Sequence, residues 1–152
     1  MLKVKDVLKM KGNDIWSIGP DETVYKALEM MAGKDIGALL VIDKGRVVGI
    51  FSERDYARKV ILKGKSARET TVGELMTKEL YSITSDKSVE ECMALMTAAH
   101  CRHMPVYENN QLAGIVTIGN VVNTIIAEQK IAIKDLENYI KGSGYVDVSN
   151  NP

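Results

Sequence analysis

The sequence contains an internal repeat that spans most of its length. Residues 17–61 align with residues 82–126 at a constant offset of 65 without a gap, and nine of the 45 aligned positions are identical. In both copies the first predicted helix has apolar residues at the i, i+3, i+4 and i+7 spacing of one buried face. These residues are Val24, Ala27, Leu28 and Met31, repeated as Val89, Cys92, Met93 and Met96. Such a chain is expected to fold as two copies of one unit that cover each other's apolar surfaces.

Each copy has the same predicted order of elements, which is strand, helix, strand, strand, helix. Short apolar runs predict the strands, a period of 3.6 residues predicts the helices, and Asp, Gly and Asn predict tight hairpin turns. The predicted strands are 15–18, 38–42 and 47–51, then 80–83, 104–107 and 112–116. The second helices are predicted from about 52 to 62 and from about 117 to at least 127. The first strand of each copy reaches the second by a parallel crossover.

The predicted fold class is α/β, with mixed sheets of the α+β kind. Two helices cannot cover the apolar face of a three-stranded sheet, so the two β-α-β-β-α units are expected to pack sheet to sheet with pseudo-twofold symmetry. Two equivalent clefts then lie between the units. Short amphipathic leads precede the units at 4–8 and 72–76. The predicted boundaries are 1–64 for repeat 1, 65–71 for a linker, 72–130 for repeat 2, and 131–152 for a C-terminal helical extension and loose tail.

Charge and composition exclude several classes of protein. The 152 residues include 20 basic and 20 acidic ones, which is not the electrostatic footprint of a general nucleic-acid binder. No apolar run approaches the roughly 20 residues that cross a bilayer, and the first residues do not resemble a signal peptide. Cys92 and Cys101 form neither a C-x-x-C motif nor a disulfide framework, which fits a reducing compartment. The expected location is the cytoplasm, with no membrane partner.

Short motifs occur at corresponding places in the two copies. Residues 49–55 are Gly-Ile-Phe-Ser-Glu-Arg-Asp, and residues 114–120 are Gly-Ile-Val-Thr-Ile-Gly-Asn. Residues 102–106, Arg-His-Met-Pro-Val, lead into the second strand of the second copy. Together with a repeat that covers about residues 4–127, these motifs resemble those of tandem CBS domains, also called a Bateman module.

The resemblance implies a function. Proteins of this family hold adenosine-containing ligands, among them AMP, ATP, NAD and S-adenosylmethionine, in the clefts between the repeats, and their role is regulatory and non-catalytic. A stand-alone CBS pair would therefore sense energy or redox state and signal to an unidentified effector protein. The resemblance also implies a disc-like homodimer formed through the helices. No catalytic residue, catalytic cofactor or metal is expected.

Ser52 and Asp55 have positions that suit a nucleotide. Ser52, like Thr117 in the second copy, stands where a strand ends and a helix begins, and the free N–H groups of a helix N-terminus attract phosphate. Asp55 lies one helical turn further on, where its carboxylate can accept both hydroxyls of a ribose. The same Ser-x-x-Asp spacing is that of a capping box, in which the two side chains satisfy the helix N-terminus. Spacing alone leaves both roles open, whereas the resemblance favours the ligand role.

Further residues complete the predicted nucleotide sites. The backbone near Ile18 and Ile83 is expected to contact adenine, and cations on the helix that follows residue 52 favour phosphate. By resemblance Arg102 and His103 face phosphate, although an exposed strand-entry position is an equal alternative for the histidine. Asn120 replaces the family's Asp, so the second cleft is expected to be empty, weaker or adapted to another ligand. The full predicted set is Ile18, Phe51, Ser52, Arg54, Asp55, Arg58, Lys59, Ile83, Arg102, His103, Met104, Pro105, Thr117 and Asn120.

Other functions have less support from the sequence. His100, Cys101 and His103 are metal-binding residue types, but no fourth ligand is evident. No Ser-His-acid set, Walker loop or paired carboxylate cleft indicates an enzyme. The basic residues between 59 and 68 lack the interleaved aromatic residues of a single-stranded nucleic-acid binder. The alternative that stays open is a ligand-free interaction or assembly module whose C-terminal segment docks a partner helix. Its apolar residues are Ile131, Ile133, Leu136, Tyr139 and Ile140.

Overall fold

Helices and strands follow one another in the predicted order. The structure is a computed structural model that describes residues 1–12 and 14–142, so the predicted loose tail after residue 142 lies outside the described residues. The helices are α1 Val4–Lys11, α2 Val24–Lys34, α3 Glu53–Asp55, α4 Val72–Leu75, α5 Val89–Ala99 and α6 Ile118–Gly142, and a π-helix, Tyr56–Ile61, continues α3. The strands are β1 Ser17–Ile18, β2 Ala38–Asp43, β3 Arg46–Ser52, β4 Ile83–Thr84, β5 His103–Glu108 and β6 Gln111–Thr117. None of the described helices has the length and apolar content needed to cross a membrane.

The strands form two mixed sheets of three strands each. Unit 1 contains the sheet β1-β2-β3 and unit 2 the sheet β4-β5-β6. In each sheet the first strand is parallel to the second, and the second is antiparallel to the third. The register repeats as well, because Ile18 lies opposite Val41 and Ile83 lies opposite Val106. With α2 and α5 as the parallel crossovers, the structure confirms the predicted fold class.

Both hairpin turns contain two consecutive residues with positive φ. The φ values are 51° and 79° at Lys44 and Gly45, and 51° and 63° at Asn109 and Asn110. Positive φ at both central residues is the geometry of the type I′ turn, whose twist matches that of the paired strands. Asn and Gly adopt this conformation more readily than other residues, so the composition of these turns predicts the hairpins correctly.

Three elements differ from their predictions. Strands β1 and β4 have two residues instead of four, and Pro20, which has no N–H to donate, follows β1 closely. The second helix of unit 1 changes from α to π after Asp55, and the amide of Leu62 donates to the carbonyl of Ala57, five residues back. The second helix of unit 2, by contrast, agrees with its prediction of at least residue 127 and continues without a break into the predicted helical extension, which gives the 25-residue helix α6.

The hydrophobic core has one cluster in each unit and a third cluster between the two sheets. In unit 1 the predicted apolar face of α2 packs against β2 and β3, and in unit 2 the face of α5 packs against β5 and β6. Between the sheets, Leu40 and Ile50 of unit 1 pack with Leu112 and Ile115 of unit 2. The sheets therefore face each other as predicted.

Each lead helix packs against the opposite unit. Helix α1 buries Val4 and Val7 in the core of unit 2, and the amide of Val4 donates to the carbonyl of Lys87 at 2.9 Å. Helix α4 reciprocally buries Val72 in the core of unit 1, and its amide donates to the carbonyl of Glu22 at 2.8 Å. The two units thus exchange their leads, which the sequence did not predict.

Candidate functional site

Two clefts lie between the units. Cleft 1 has a volume of about 270 Å³ and is lined by Gly37, Ile50, Ser52, Glu53, Arg54, Asp55, Thr77, Glu79, Leu80, Tyr81, His100, Cys101, Arg102 and His103. Cleft 2 has a volume of about 520 Å³ and is lined by Lys11, Gly12, Asp14, Trp16, Asp35, Ile36, Gly37, Ala38, Arg102, His103, Ile115, Thr117, Ile118 and Asn120. Most residues of one lining correspond to residues of the other at the offset of 65. The clefts are therefore equivalent positions in the repeat.

Ser52 and Asp55 form the capping box that their spacing permits. The Oδ2 atom of Asp55 accepts the amide of Ser52 at 2.9 Å and its hydroxyl at 3.0 Å. The amide of Asp55 donates to the Oγ atom of Ser52 at 3.2 Å. These bonds hold both side chains at the junction of β3 and α3, and Asp55 is only 7% exposed. The capping role is therefore real, and it places both residues in the lining of cleft 1.

The second oxygen of Asp55 is engaged by unit 2 and by the next turn of the helix. The hydroxyl of Thr77 donates to Oδ1 at 3.0 Å, and the ammonium of Lys59 lies 3.0 Å from the same atom. Lys59 also donates to the carbonyl of Leu75 at 3.0 Å. A ribose that uses this carboxylate must therefore replace Thr77 or Lys59 at Oδ1.

Cleft 2 contains the same backbone junction with a different acceptor. The amide of Thr117 donates to Oδ1 of Asn120 at 2.9 Å, and the amide of Asn120 donates to Oγ1 of Thr117 at 3.0 Å. Lys11, at the end of α1, donates to the carbonyl of Ile115. Burial lowers the pKa of Lys11, while the charge of Asp14 acts in the opposite direction. Cleft 2 thus has a cation that the sequence did not predict for it.

Arg102 and His103 line both clefts. They stand at the start of β5, next to Gly37 at the start of β2. A Cβ atom added to Gly37 would lie 3.9 Å from Nε2 of His103. Burial lowers the pKa of His103, as do the charges of Arg102 and Arg54, and Asp55 opposes them. His103 is half-buried between the clefts, and not the exposed strand-entry residue that was its alternative.

The remaining predicted residues lie outside the two linings. The side chains of Ile18, Phe51, Ile83 and Met104 are buried in the cores of their units. Any contact from them to a ligand would have to use the backbone. Three further predicted residues, Pro105, Arg58 and Lys59, also line neither cleft. Of the predicted set, the structure brings together Ser52, Arg54, Asp55, Arg102 and His103 at cleft 1, and Arg102, His103, Thr117 and Asn120 at cleft 2.

An aromatic residue lines each cleft at equivalent positions of the repeat. Tyr81 lines cleft 1 and is 47% exposed, and Trp16 lines cleft 2 and is 37% exposed. The ammonium of Lys34 lies 4.1 Å from the centre of the Trp16 ring. Neither aromatic residue was predicted as part of a site, although their offset of 65 in the repeat was a usable indication. Aromatic rings on a cleft offer a surface on which a nucleotide base can stack.

Comparisons with known proteins place the fold. The sequence matches the CBS domain family over residues 4–61 and 72–127. It is 38% identical over 152 residues to the CBS domain-containing protein CBSX3, mitochondrial, of Arabidopsis thaliana. The match covers 93% of this chain and 73% of that protein. These matches confirm the resemblance drawn from the repeat and its motifs.

Solved structures agree with the sequence matches. A protein with CBS domains from Burkholderia ambifaria MC40-6, described as a candidate signal-transduction protein, has a TM-score of 0.80 and 42% identity over 84% of this chain and 96% of its own. A CBS-domain-containing protein from Agrobacterium tumefaciens has a TM-score of 0.75 and 38% identity over 80% of this chain and 97% of its own.

Proposed function

Because the chain belongs to the CBS domain family, with two CBS domains in tandem, we propose that it is a non-catalytic regulatory module that binds adenine nucleotides in its two clefts. AMP, ATP and NAD are the proposed ligands, and occupancy is signalled to an effector protein. The observation that supports this best is the composition of cleft 1, where Ser52 and Asp55 lie in one lining with Arg54 and Arg102.

Each part of a nucleotide has a chemically matched group in cleft 1. We place the ribose hydroxyls on the carboxylate of Asp55, where a charged acceptor forms strong hydrogen bonds. The phosphate faces Arg54, Arg102 and His103, whose N–H donors suit an anion. The base stacks on Tyr81. The ribose takes over the contact of Thr77 with Oδ1, so binding is coupled to the segment that joins α4 to β4.

The variant Asp55→Ala tests this placement. We expect it to lower AMP affinity about tenfold or more in calorimetry, because a charge-assisted hydrogen bond contributes about 1.5–3 kcal/mol. It also lowers the melting temperature, since the capping box is lost. The control is Thr23→Ala, which removes the hydroxyl that caps α2 at 3.1 Å and lies outside both linings. If both variants lose stability while both keep their AMP affinity, Asp55 is only a cap.

A second candidate function, an interaction or assembly module, is favoured by the surface of α6. Ile131, Leu136 and Tyr139 are 64%, 59% and 73% exposed on this helix, which extends beyond unit 2. Thermal shift separates the candidates, because a ligand that binds only the folded chain raises its melting temperature. Unchanged melting with millimolar AMP, ATP and NAD would leave only the assembly function.

We further infer that the chain is a homodimer that associates through exposed helical faces, with no membrane or nucleic acid as partner. The described part of the chain holds Cys92 and Cys101 as free thiols. Burial raises the pKa of both thiols, which favours their protonated form. Free thiols are typical of a reducing compartment, so their presence supports the proposed location in a compartment such as the cytoplasm.

A further inference from the structure

Arg102 and His103 occur once in the chain, although the cleft occurs twice. They belong to the linings of both clefts. Their equivalents at the offset of 65 are Gly37 and Ala38, which have no charge. Gly37 also lines both clefts, so the starts of β2 and β5 form the wall between them. One pair of N–H donors, the arginine cation and the histidine, thus stands between two sites that otherwise repeat each other.

Each cleft also has one cation of its own. Arg54 lines cleft 1 and has Gly119 as its equivalent in unit 2. Lys11 lines cleft 2 and has Met76 as its equivalent. Each of these two residues therefore lines one cleft only and is called the private cation of that cleft.

The acidic residues outnumber the private cations in both clefts. Cleft 1 is lined by Glu53, Asp55 and Glu79, against Arg54 and the ion-paired Lys59 beside the lining. Cleft 2 is lined by the acidic residues Asp14 and Asp35, against the private cation Lys11 and, beside the lining, Lys34 over the Trp16 ring. Without Arg102 neither cleft has a net positive charge for a phosphate. Each cleft therefore needs the shared pair for a phosphorylated ligand.

We propose that the two clefts compete for the Arg102 and His103 pair, so that a phosphorylated ligand bound in one cleft weakens the binding of a second phosphorylated ligand in the other. This inference rests on the proposed function. Two phosphates on opposite sides of Arg102 and His103 share these donors and the charge of Arg102, and they repel each other. Because Arg102 is exposed, salt screens this repulsion. The affinity of one cleft for a phosphorylated ligand then depends on whether the other cleft is occupied by one.

Calorimetry on the full chain with AMP and with adenosine tests the proposal, because adenosine has the same base and ribose but no phosphate. We expect the second AMP to bind about tenfold more weakly than the first, a coupling within the usual range between linked sites. Adenosine is expected to fill both clefts without this weakening. Raising the salt concentration is expected to reduce the difference between the two AMP affinities.

Variants distinguish coupling from clefts that merely differ. With Asp55→Ala disabling cleft 1 and Asn120→Ala disabling cleft 2, each variant reports AMP binding to one cleft alone. The product of these two association constants is expected to exceed the product of the two stepwise constants of the unchanged chain. Equal products would mean independent clefts, which overturns the proposal. The matched pair Arg54→Met and Lys11→Met should each weaken one AMP site, whereas Arg102→Gln should weaken both.

The remaining outcomes separate this inference from the proposed function. Two AMP sites of equal affinity would contradict competition for Arg102 and His103 but leave nucleotide binding intact. So would a stoichiometry of one with AMP and one with adenosine. If neither ligand binds, the proposed function fails and the inference fails with it.

Discussion

At the scale of single residues, Asp55 combines two roles that compete for the same atoms. Its Oδ2 atom accepts two bonds from Ser52, and its Oδ1 atom is engaged by Thr77 and Lys59. Breaking the capping box on ligand binding would cost stability, but replacing the partners of Oδ1 leaves the cap intact. The contact from Thr77 is therefore the one that a ligand can exchange without unfolding the helix start.

His103 gives the site a predictable response to pH. Burial and the charges of Arg102 and Arg54 lower its pKa, while Asp55 opposes them. Since a nearby phosphate favours the protonated imidazole, its pKa is higher in the complex than in the free chain, and binding takes up a proton. AMP affinity should therefore rise as the pH falls through the pKa of the complex, and level off below the lowered pKa of the free chain.

The measurement is AMP affinity at about pH 7.5 and about pH 5.5, where histidine titrates. The variant His103→Gln is the control, because it retains a hydrogen-bond donor but cannot gain a charge. The phosphate of AMP also titrates in this range, so the informative quantity is the gain of the unchanged chain over the variant. An equal pH response in both proteins would show that His103 does not face the phosphate.

The lowered pKa of His103 also affects the stability of the free chain. It contributes to the free energy of unfolding above the ordinary pKa of histidine, and this contribution is lost as the pH falls through the lowered pKa.

The predicted residues that belong to one local motif line the clefts. Ser52, Asp55, Thr117 and Asn120 each stand at a strand-to-helix junction whose geometry follows from three-residue spacing. Lys11 was missed, since it enters cleft 2 through a contact with Ile115, 104 positions away in the chain. Local patterns contain no information about such a pairing, because it depends on how the leads are exchanged.

At the scale of elements, the exchanged leads explain a glycine that both units have in common. A Cβ atom on Gly114 would lie 2.8 Å from Cδ2 of Leu8 in α1. A Cβ atom on Gly49 would lie 2.6 Å from Sδ of Met76, at the end of α4. Glycine at these positions lets a lead from the opposite unit approach the third strand closely. The repeated glycine in the motif thus serves packing between units.

Leu8 is the residue on which we base a test of this exchange. It is 6% exposed and packs in the core of unit 2, so Leu8→Ala should lower the free energy of unfolding by about 3 kcal/mol in urea denaturation. The neighbouring control Met10→Ala, at a position that is 55% exposed, should change it by less than about 0.5 kcal/mol. Hydrogen exchange should show reduced protection in β5 and β6. Reduced protection confined to β2 and β3 would contradict the exchange.

Periodicity and turn composition predicted most of the elements, because helix faces and type I′ turns are local features. The first strands were predicted too long, since an apolar run such as 15–18 does not reveal how many of its residues find a partner. The π-helix Tyr56–Ile61 and the packing partner of α1 have no sequence pattern of their own.

At the scale of the whole molecule, α6 connects the clefts with the surface. Its first amide, that of Ile118, donates to the carbonyl of Arg102 at 3.0 Å, so the helix start is tied to the shared cation. Further along, Ile126, Ile133, Leu136 and Ile140 recur at spacings that form one helix face. We propose that a shift of the Arg102 backbone on ligand binding would move the start of the helix whose apolar face is the proposed dimer interface.

The proposed homodimer can be tested on this face. Because a charge on an apolar interface must be desolvated, Leu136→Asp is expected to weaken association at least about tenfold in sedimentation equilibrium. The control Asn138→Asp places the same charge on the same helix, rotated about 200° around the helix axis from Leu136. Equal association of both variants and the unchanged chain would exclude this face of α6 from the dimer interface.

The predicted boundaries between the repeats and the extension stay a prediction. Helix α6 crosses the predicted boundary at residue 130 without a break.

The exchange of leads also has a consequence for how the chain is made. Helix α1 leaves the ribosome before unit 2, but the core that covers Val4 and Val7 contains Val116 and Val121, which are synthesised more than 100 positions later. Unit 1 likewise needs Val72. The apolar face of α1 therefore stays uncovered by this core until residue 121 has been made. Docking of α1 is thus expected late in folding, although α1 is made before every element that covers it.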